Sequence, residues 1–171
     1  YNGGIVFQAY TAAFLYSKGQ FIKAFRAPSR FPGSFNVAGK IYLNDVEKGL
    51  FLFDGTKMSY LRGTEQLIGK DITSVLPFRS ENEILICTSD KGLYVFDGMK
   101  LREWNLPVSE MLKRYEIFCA TSLQSHYYAF GTIQNGIIVI DDNGRVVQQI
   151  NQKNGLQNNT ILNILADRDG N

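Results

Sequence analysis

Histidine occurs once in the 171 residues, at His126, tryptophan once, cysteine twice and proline four times. A single histidine leaves a histidine-based metal site or catalytic dyad without its second member. His126 stands in Ser125-His-Tyr-Tyr128 at the approach to a strand and reads as a loop or strand-edge residue. Cys87 and Cys119 lie in the apolar runs Ile84-Leu-Ile-Cys87 and Ile117-Phe-Cys119, with neither the spacing nor the number of a zinc site or disulfide framework. They read as buried free thiols used as small hydrophobes. No run approaches the roughly 18 apolar residues of a membrane span. The start, Tyr1-Asn-Gly-Gly-Ile-Val6, lacks the charged-then-apolar layout of a signal peptide, and Met is absent at position 1. The chain therefore reads as an excerpt whose targeting and membrane parts lie outside it. Lys+Arg number 18 against 16 Asp+Glu, with no basic run or stripe, which excludes direct nucleic-acid binding by this segment.

What is present is apolar, aromatic and glycine-rich: 44% apolar residues, 13% aromatic and 16 glycines. Abundant Tyr and Phe with sparse Pro favour strands joined by tight turns. The dominant signal is self-similarity. Gly49-Leu-Phe-Leu-Phe-Asp-Gly55 returns as Gly92-Leu-Tyr-Val-Phe-Asp-Gly98, 43 residues on, and stretched as Gly136-Ile-Ile-Val-Ile-Asp-Asp-Asn-Gly144, 44 further on. A degenerate copy, Ala13-Phe-Leu-Tyr-Ser-Lys-Gly19, precedes them by 36.

Each copy has an upstream partner strand, Ile5-Val-Phe-Gln8, Ile41-Tyr-Leu-Asn44, Ile84-Leu-Ile-Cys87 or Tyr128-Ala-Phe-Gly131. Strand, short polar loop and strand make a hairpin. The closing Asp-Gly or Asn-Gly accepts positive φ and turns the chain into a further strand, at Lys57-Met-Ser-Tyr-Leu61, Lys100-Leu-Arg-Glu-Trp104 and Val146-Val-Gln-Gln-Ile150. A first strand precedes each hairpin, at Phe35-Asn-Val-Ala38, Ile72-Thr-Ser-Val-Leu76 and Ile117-Phe-Cys-Ala-Thr121, with Ile161-Leu-Asn-Ile-Leu165 opening another set.

Four antiparallel strands in a period near 44 residues is the layout of a β-propeller blade, a small sheet that buries both faces only when neighbours stack on it. The fold expected is all-β, a propeller fragment of about four blades. The expected division is a partial blade at 1–30, blades at 31–68, 69–112 and 113–153, and the first strand of a further blade at 154–171. Only Pro107-Val-Ser-Glu-Met-Leu-Lys-Arg114 reads as helical, with Ser109 as its N-cap. Open strand edges at the two ends, Ile5–Gln8 and Ile161–Leu165, are expected to recruit a second copy or adjoining blades.

The tail Asn154-Gly-Leu-Gln-Asn-Asn-Thr-Ile-Leu-Asn-Ile-Leu-Ala-Asp-Arg-Asp-Gly-Asn171 resembles the two-component regulator propeller repeat, with Gly155, Leu156, Asn159, Ile161, Ile164, Asp167, Gly170 and Asn171 on its pattern. Phe130-Gly-Thr-Ile-Gln-Asn-Gly-Ile137 is similar to that family's mid-blade Gly-Thr-x-x-Gly-Leu segment. Cys87-Thr88 and Asn44-Asp45 stand where Gly-Thr is usual, and no blade carries the family tryptophan. The cadence resembles the propellers of Bacteroidetes regulators that carry a triple-tyrosine domain. The resemblance implies a periplasmic sensor region of a hybrid histidine kinase or related one-piece membrane regulator, responding to glycan fragments. No phospho-acceptor helix, nucleotide-binding glycine loop or helix-turn-helix stands in this segment.

Four features of the sequence bear on chemistry. Asp167-Arg-Asp169-Gly-Asn171 alternates oxygen side chains as calcium loops do, but its glycine is misplaced and no bidentate glutamate follows, so it reads as a turn. The carboxylate pairs Asp45 with Glu47 and Asp141 with Asp142 sit in separate loops or on a turn, without the convergence a glycosidase needs. Lys48, Lys91 and Asn135 share one position, just before the repeat glycine, which a turn explains. The loops between second and third strands share a face with the inter-blade loops, so a ligand would be read there. The residues chosen for it are Asp45, Glu47, Asp90, Gln134, Arg102 and Trp104, polar groups and an aromatic platform suited to an oligosaccharide. Three readings follow: a ligand-sensing propeller, a protein-interaction or dimerisation propeller, and a periplasmic carbohydrate-active enzyme. The first is favoured, with no cofactor and no catalytic residue in the segment.

Overall fold

Tight turns set the strand spacing of this chain, whose computed structural model describes residues 4–124, 127–167 and 169–170. Lys18-Gly19 and Ala38-Gly39 take φ of 49° and 74°, and 49° and 78°, the paired left-handed conformations of a two-residue hairpin turn. Gly55, Gly98 and Gly144 close the later third-to-fourth-strand turns with φ of 96°, 94° and 79°.

The strands are β1 (Gly4–Ala9), β2 (Ala12–Ser17), β3 (Gln20–Arg26), β4 (Gly33–Val37), β5 (Lys40–Asp45), β6 (Gly49–Phe53), β7 (Met58–Tyr60), β8 (Ile72–Pro77), β9 (Ile84–Thr88), β10 (Leu93–Phe96), β11 (Leu101–Glu103), β12 (Ile117–Leu123), β13 (Tyr127–Thr132), β14 (Ile137–Ile140) and β15 (Val146–Ile150). They form one three-stranded sheet, β1-β2-β3, and three four-stranded sheets, β4-β5-β6-β7, β8-β9-β10-β11 and β12-β13-β14-β15. Neighbouring strands are antiparallel in sequence order. This is the meander of a propeller fragment of about four blades, as the repeat implies.

The chain divides into two units, Tyr1–Lys70 with Gly98–Leu101, and Asp71–Asp97 with Arg102–Asn171. In the first, Ala13 and Leu15 of β2 share a core with Ile41 and Leu43 of β5, Phe51 and Phe53 of β6, and Phe31. In the second, Leu85, Cys87, Leu93 and Val95 are packed with Tyr128, Phe130, Ile138 and Ile140 and with Leu112 of the helix α1 (Ser109–Tyr115). Each core joins consecutive sheets, so no single sheet carries its own.

Two expectations are corrected. Ser109 is not the N-cap of α1: Val108 holds that place without a side-chain cap bond, and the Ser109 hydroxyl instead accepts the Leu106 N–H at 2.8 Å. The bend entering the helix places Ser109 inside its first turn. Ile161–Leu165 forms no strand, because among the described residues no neighbouring strand gives it the hydrogen-bond ladder that a strand needs. It is nevertheless held in place. The Ile161 N–H donates to Thr132 O at 2.9 Å, as Ile117 N–H, where β12 begins, donates to Ser89 O at 2.9 Å.

Candidate functional site

The loop between second and third strands is built the same way in three sheets. In each, the last residue of the second strand is fully buried and its side-chain oxygen closes the loop: Asp45, Thr88 and Thr132. Thr88 Oγ1 donates to Gly92 O (2.7 Å) and accepts from Lys91 N (3.1 Å), and Thr132 Oγ1 does the same with Gly136 O and Asn135 N, both 2.9 Å. Asp45 Oδ1 accepts from Glu47 N (3.1 Å) and Lys48 N (3.0 Å). The recurrence of Lys48, Lys91 and Asn135 is thus a recurrence of backbone N–H groups. The threonine of the Gly-Thr pair is a loop clasp, and the glycine has its own cause. A Cβ at Gly131 would lie 2.6 Å from Cys119 Sγ and 2.7 Å from Ile161 Cγ2.

The residues chosen from sequence do not converge. Asp45 is enclosed as a structural acceptor, while Glu47, two residues on, is exposed. Asp90 is exposed and pairs with Lys91 at 2.5 Å, and Gln134 is exposed on the equivalent loop of the fourth sheet. Arg102 pairs with Glu83 at 3.6 Å, one residue before β9 begins and so away from that strand's loop end. Trp104 offers no platform to a ligand. It is 7% exposed, its ring edge-on to Phe78 (4.9 Å) and Tyr128 (6.0 Å), because the chain turns inward after β11 to reach α1.

Asp141 and Asp167 serve turns. Asp141 Oδ1 accepts from Asn143 N and Arg145 N, each at 2.9 Å, and Asp167 Oδ1 from Asp169 N at 2.9 Å. Among the described residues no group of three or more His, Cys, Asp or Glu is gathered as a metal site, and no helix is long and apolar enough to cross a membrane. Cys87 and Cys119 are free thiols, and burial pushes both pKa values up. His126 lies outside the described residues.

One chosen residue, Glu47, opens onto a cleft of about 480 Å³ in the first unit. Phe51 and Tyr60 line it as an edge-to-face pair, 5.5 Å between ring centres, and are register partners on β6 and β7. Pro28 and Ile68 supply further apolar lining, and Glu47, Lys48 and Glu65 the charged groups. Two parts of this lining are fixed, the backbone at Glu47-Lys48 and the Glu65 carboxylate. Asp45 immobilises the Glu47-Lys48 backbone, and the Glu65 carboxylate accepts from Gly63 N at 3.1 Å. Burial, and next a hydrogen bond to the Glu65 carboxylate, hold the Tyr60 phenol above its ordinary pKa. The backbone N–H groups of Glu65 and Gly63 hold the Glu65 carboxyl below its own. Carboxylates and an ammonium around two rings can hydrogen-bond hydroxyls while an apolar face rests on the aromatics. Tyr60, Glu65 and Phe51 escaped the sequence reading because Lys57–Leu61 registers there only as a strand. Counting outward from the Asp54-Gly55 turn would have set Phe51 opposite Tyr60.

No protein-family model and no curated protein matches the chain. Solved structures do. The extracellular domain of a hybrid two-component system from B. thetaiotaomicron superposes with a TM-score of 0.77 at 16% identity, over 98% of this chain and 23% of that one. PorZ, a surface component of the type-IX secretion system of Porphyromonas gingivalis, gives 0.53 at 11% identity over 98% and 36%. BBS1N, solved in complex with ARL6DN, gives 0.57 at 11% identity over 86% and 50%. The chain thus spans under a quarter of the first of these structures and half or less of the others. At these identities the shared property is the fold, and the chain is a segment of β-propeller.

Proposed function

We propose that the chain is part of the ligand-sensing, extracytoplasmic propeller of a bacterial membrane signalling protein, and that it reads a glycan-derived ligand in the cleft bounded by Glu47, Lys48, Tyr60 and Glu65. The observation that carries the reading is that cleft: an aromatic pair bordered by the Glu65 carboxylate, which the Gly63 N–H holds, and by Glu47 and Lys48, whose backbone buried Asp45 fixes. The likeness to an extracellular domain of a two-component system supports the sensory and extracytoplasmic parts, and the repeat resemblance of Asn154–Asn171 supports the same class. A histidine kinase or DNA-binding output belongs to the proposal for the whole protein. The non-catalytic reading is supported by Asp45 and Asp141, whose oxygens are engaged with backbone N–H groups instead of facing a cleft in pairs.

Titration calorimetry against a panel of neutral and acidic oligosaccharides tests this. Saturable binding that Tyr60→Ala or Glu47→Gln weakens about tenfold or more, the worth of one good contact, is the expected result. No heat and no melting shift with any oligosaccharide would overturn the sensing site. Release of new reducing ends would overturn the non-catalytic reading.

A further inference from the structure

The cleft of the first unit is one cation short. Its charged lining is two carboxylates, Glu47 and Glu65, and one ammonium, Lys48. None of the three forms an ion pair among the described residues, so the deficit is open to a ligand.

Of the two carboxylates, Glu65 is the one held in place. It accepts the Gly63 N–H at 3.1 Å and a hydrogen bond from the Tyr60 hydroxyl. The backbone N–H groups of Glu65 and Gly63, with the Tyr60 hydroxyl adding to them, favour its ionised form. Tyr60 is seated in turn: its ring meets Phe51 edge to face at 5.5 Å, and a Cβ at Gly49 would lie 3.6 Å from the ring. A fixed, ionised carboxylate joined to the rim of an aromatic pair suits a primary ammonium. The carboxylate accepts its charge-assisted hydrogen bonds, and the half-buried Tyr60 ring adds cation–π attraction.

Charge elsewhere does not create this preference. The chain carries a net +2, so its overall field opposes a cationic ligand and any attraction is local to the cleft. An acidic sugar, by contrast, would meet two carboxylates for one lysine, and Asp45 fixes only the backbone N–H of that lysine.

We propose that the ligand of this cleft is an amine-bearing glycan, a hexosamine oligosaccharide whose free primary ammonium pairs with the Glu65 carboxylate beside the Tyr60 ring. This rests on the cleft being the glycan site and assigns the class of sugar it takes. Glu47 supplies the second negative charge, and the same two carboxylates turn uronic-acid and sulfated glycans away.

Titration calorimetry of the whole chain at about 0.15 M salt, where long-range attraction is screened, tests this. Three oligosaccharides of one linkage and length are compared, built of glucosamine, of N-acetylglucosamine and of glucose. The glucosamine oligomer is expected to bind about tenfold or more tighter than either of the others. Glu65→Gln keeps the shape and an oxygen for the Gly63 N–H, and it should abolish that preference. Glu81→Gln, at an exposed acid of the second unit, should leave the preference intact. If Glu65→Gln melts below wild type, Glu47→Gln carries the same test, since the Glu47 carboxylate has no hydrogen bond or ion pair among the described residues. Equal affinity for the free and acetylated amines overturns the proposal and leaves the sensing site standing. So does tighter binding of an acidic oligosaccharide, a preference that survives both cleft variants, or one that Glu81→Gln also removes. Binding of no oligosaccharide of any kind overturns the site itself, and the proposal with it.

Discussion

Asp45 and Ser29 are joined twice: Asp45 Oδ2 accepts the Ser29 backbone N–H at 2.8 Å, and Oδ1 accepts its hydroxyl at 2.9 Å. The same carboxylate holds Glu47 N and Lys48 N, so one fully buried side chain ties the segment between the first two sheets to the loop that lines the cleft. Asp45→Ala leaves four part-buried donors without their shared acceptor and is expected to cost about 3 kcal/mol or more, against about 1 kcal/mol for Ser29→Ala. Urea unfolding of the two variants measures the difference, and equal midpoints would contradict this role for Asp45.

Ala38 is a second site where one residue decides a turn. It is exposed at φ 49° in the two-residue connection between β4 and β5, a conformation that costs an alanine about 1 kcal/mol. Ala38→Asn, whose side chain tolerates that conformation, should raise the melting temperature. A lower one would mean that the turn is built differently.

The positive-φ glycines are not equivalent. A Cβ at Gly136 would lie 2.1 Å from Ile150 O, whereas at Gly19 nothing stands within 4 Å. Gly19→Ala is expected to cost only the backbone penalty of about 1 kcal/mol, and Gly136→Ala about 3 kcal/mol or more. Denaturation midpoints should separate the two.

Alkali should loosen the second core through Tyr128. Its phenol is buried, and burial pushes its pKa from 10.0 up to about 12. Because the folded value is the higher one, the stabilisation is complete below pH 10 and is lost as pH rises through about 12. Tyr128→Phe should flatten this limb of the stability profile, and an unchanged limb would assign it elsewhere.

Trp104 is the sole tryptophan and lies in the same core, so its emission should shift to the red on unfolding. Trp104→Ala is expected to cost about 3–5 kcal/mol while leaving oligosaccharide affinity unchanged. Weakened binding by folded protein would restore Trp104 to the ligand site.

The 44-residue cadence, the strands about each repeat glycine and the turns that close them were legible in the sequence because they rest on local chemistry. Alternating apolar residues select strands, and glycine alone relieves positive φ where a neighbour leaves no room, as at Gly136. Exposure and partnership were decided by the tertiary structure. Asp45 and Glu47 look alike two positions apart, yet one ends inside β5 facing Ser29 and the other at the cleft. Trp104 reads as a surface aromatic until the chain entering α1 folds it against Phe78. The tail has the apolar pattern of a strand, but pattern only sets which way side chains point. A strand also needs the hydrogen-bond ladder of a neighbour, and residues distant in sequence must supply it.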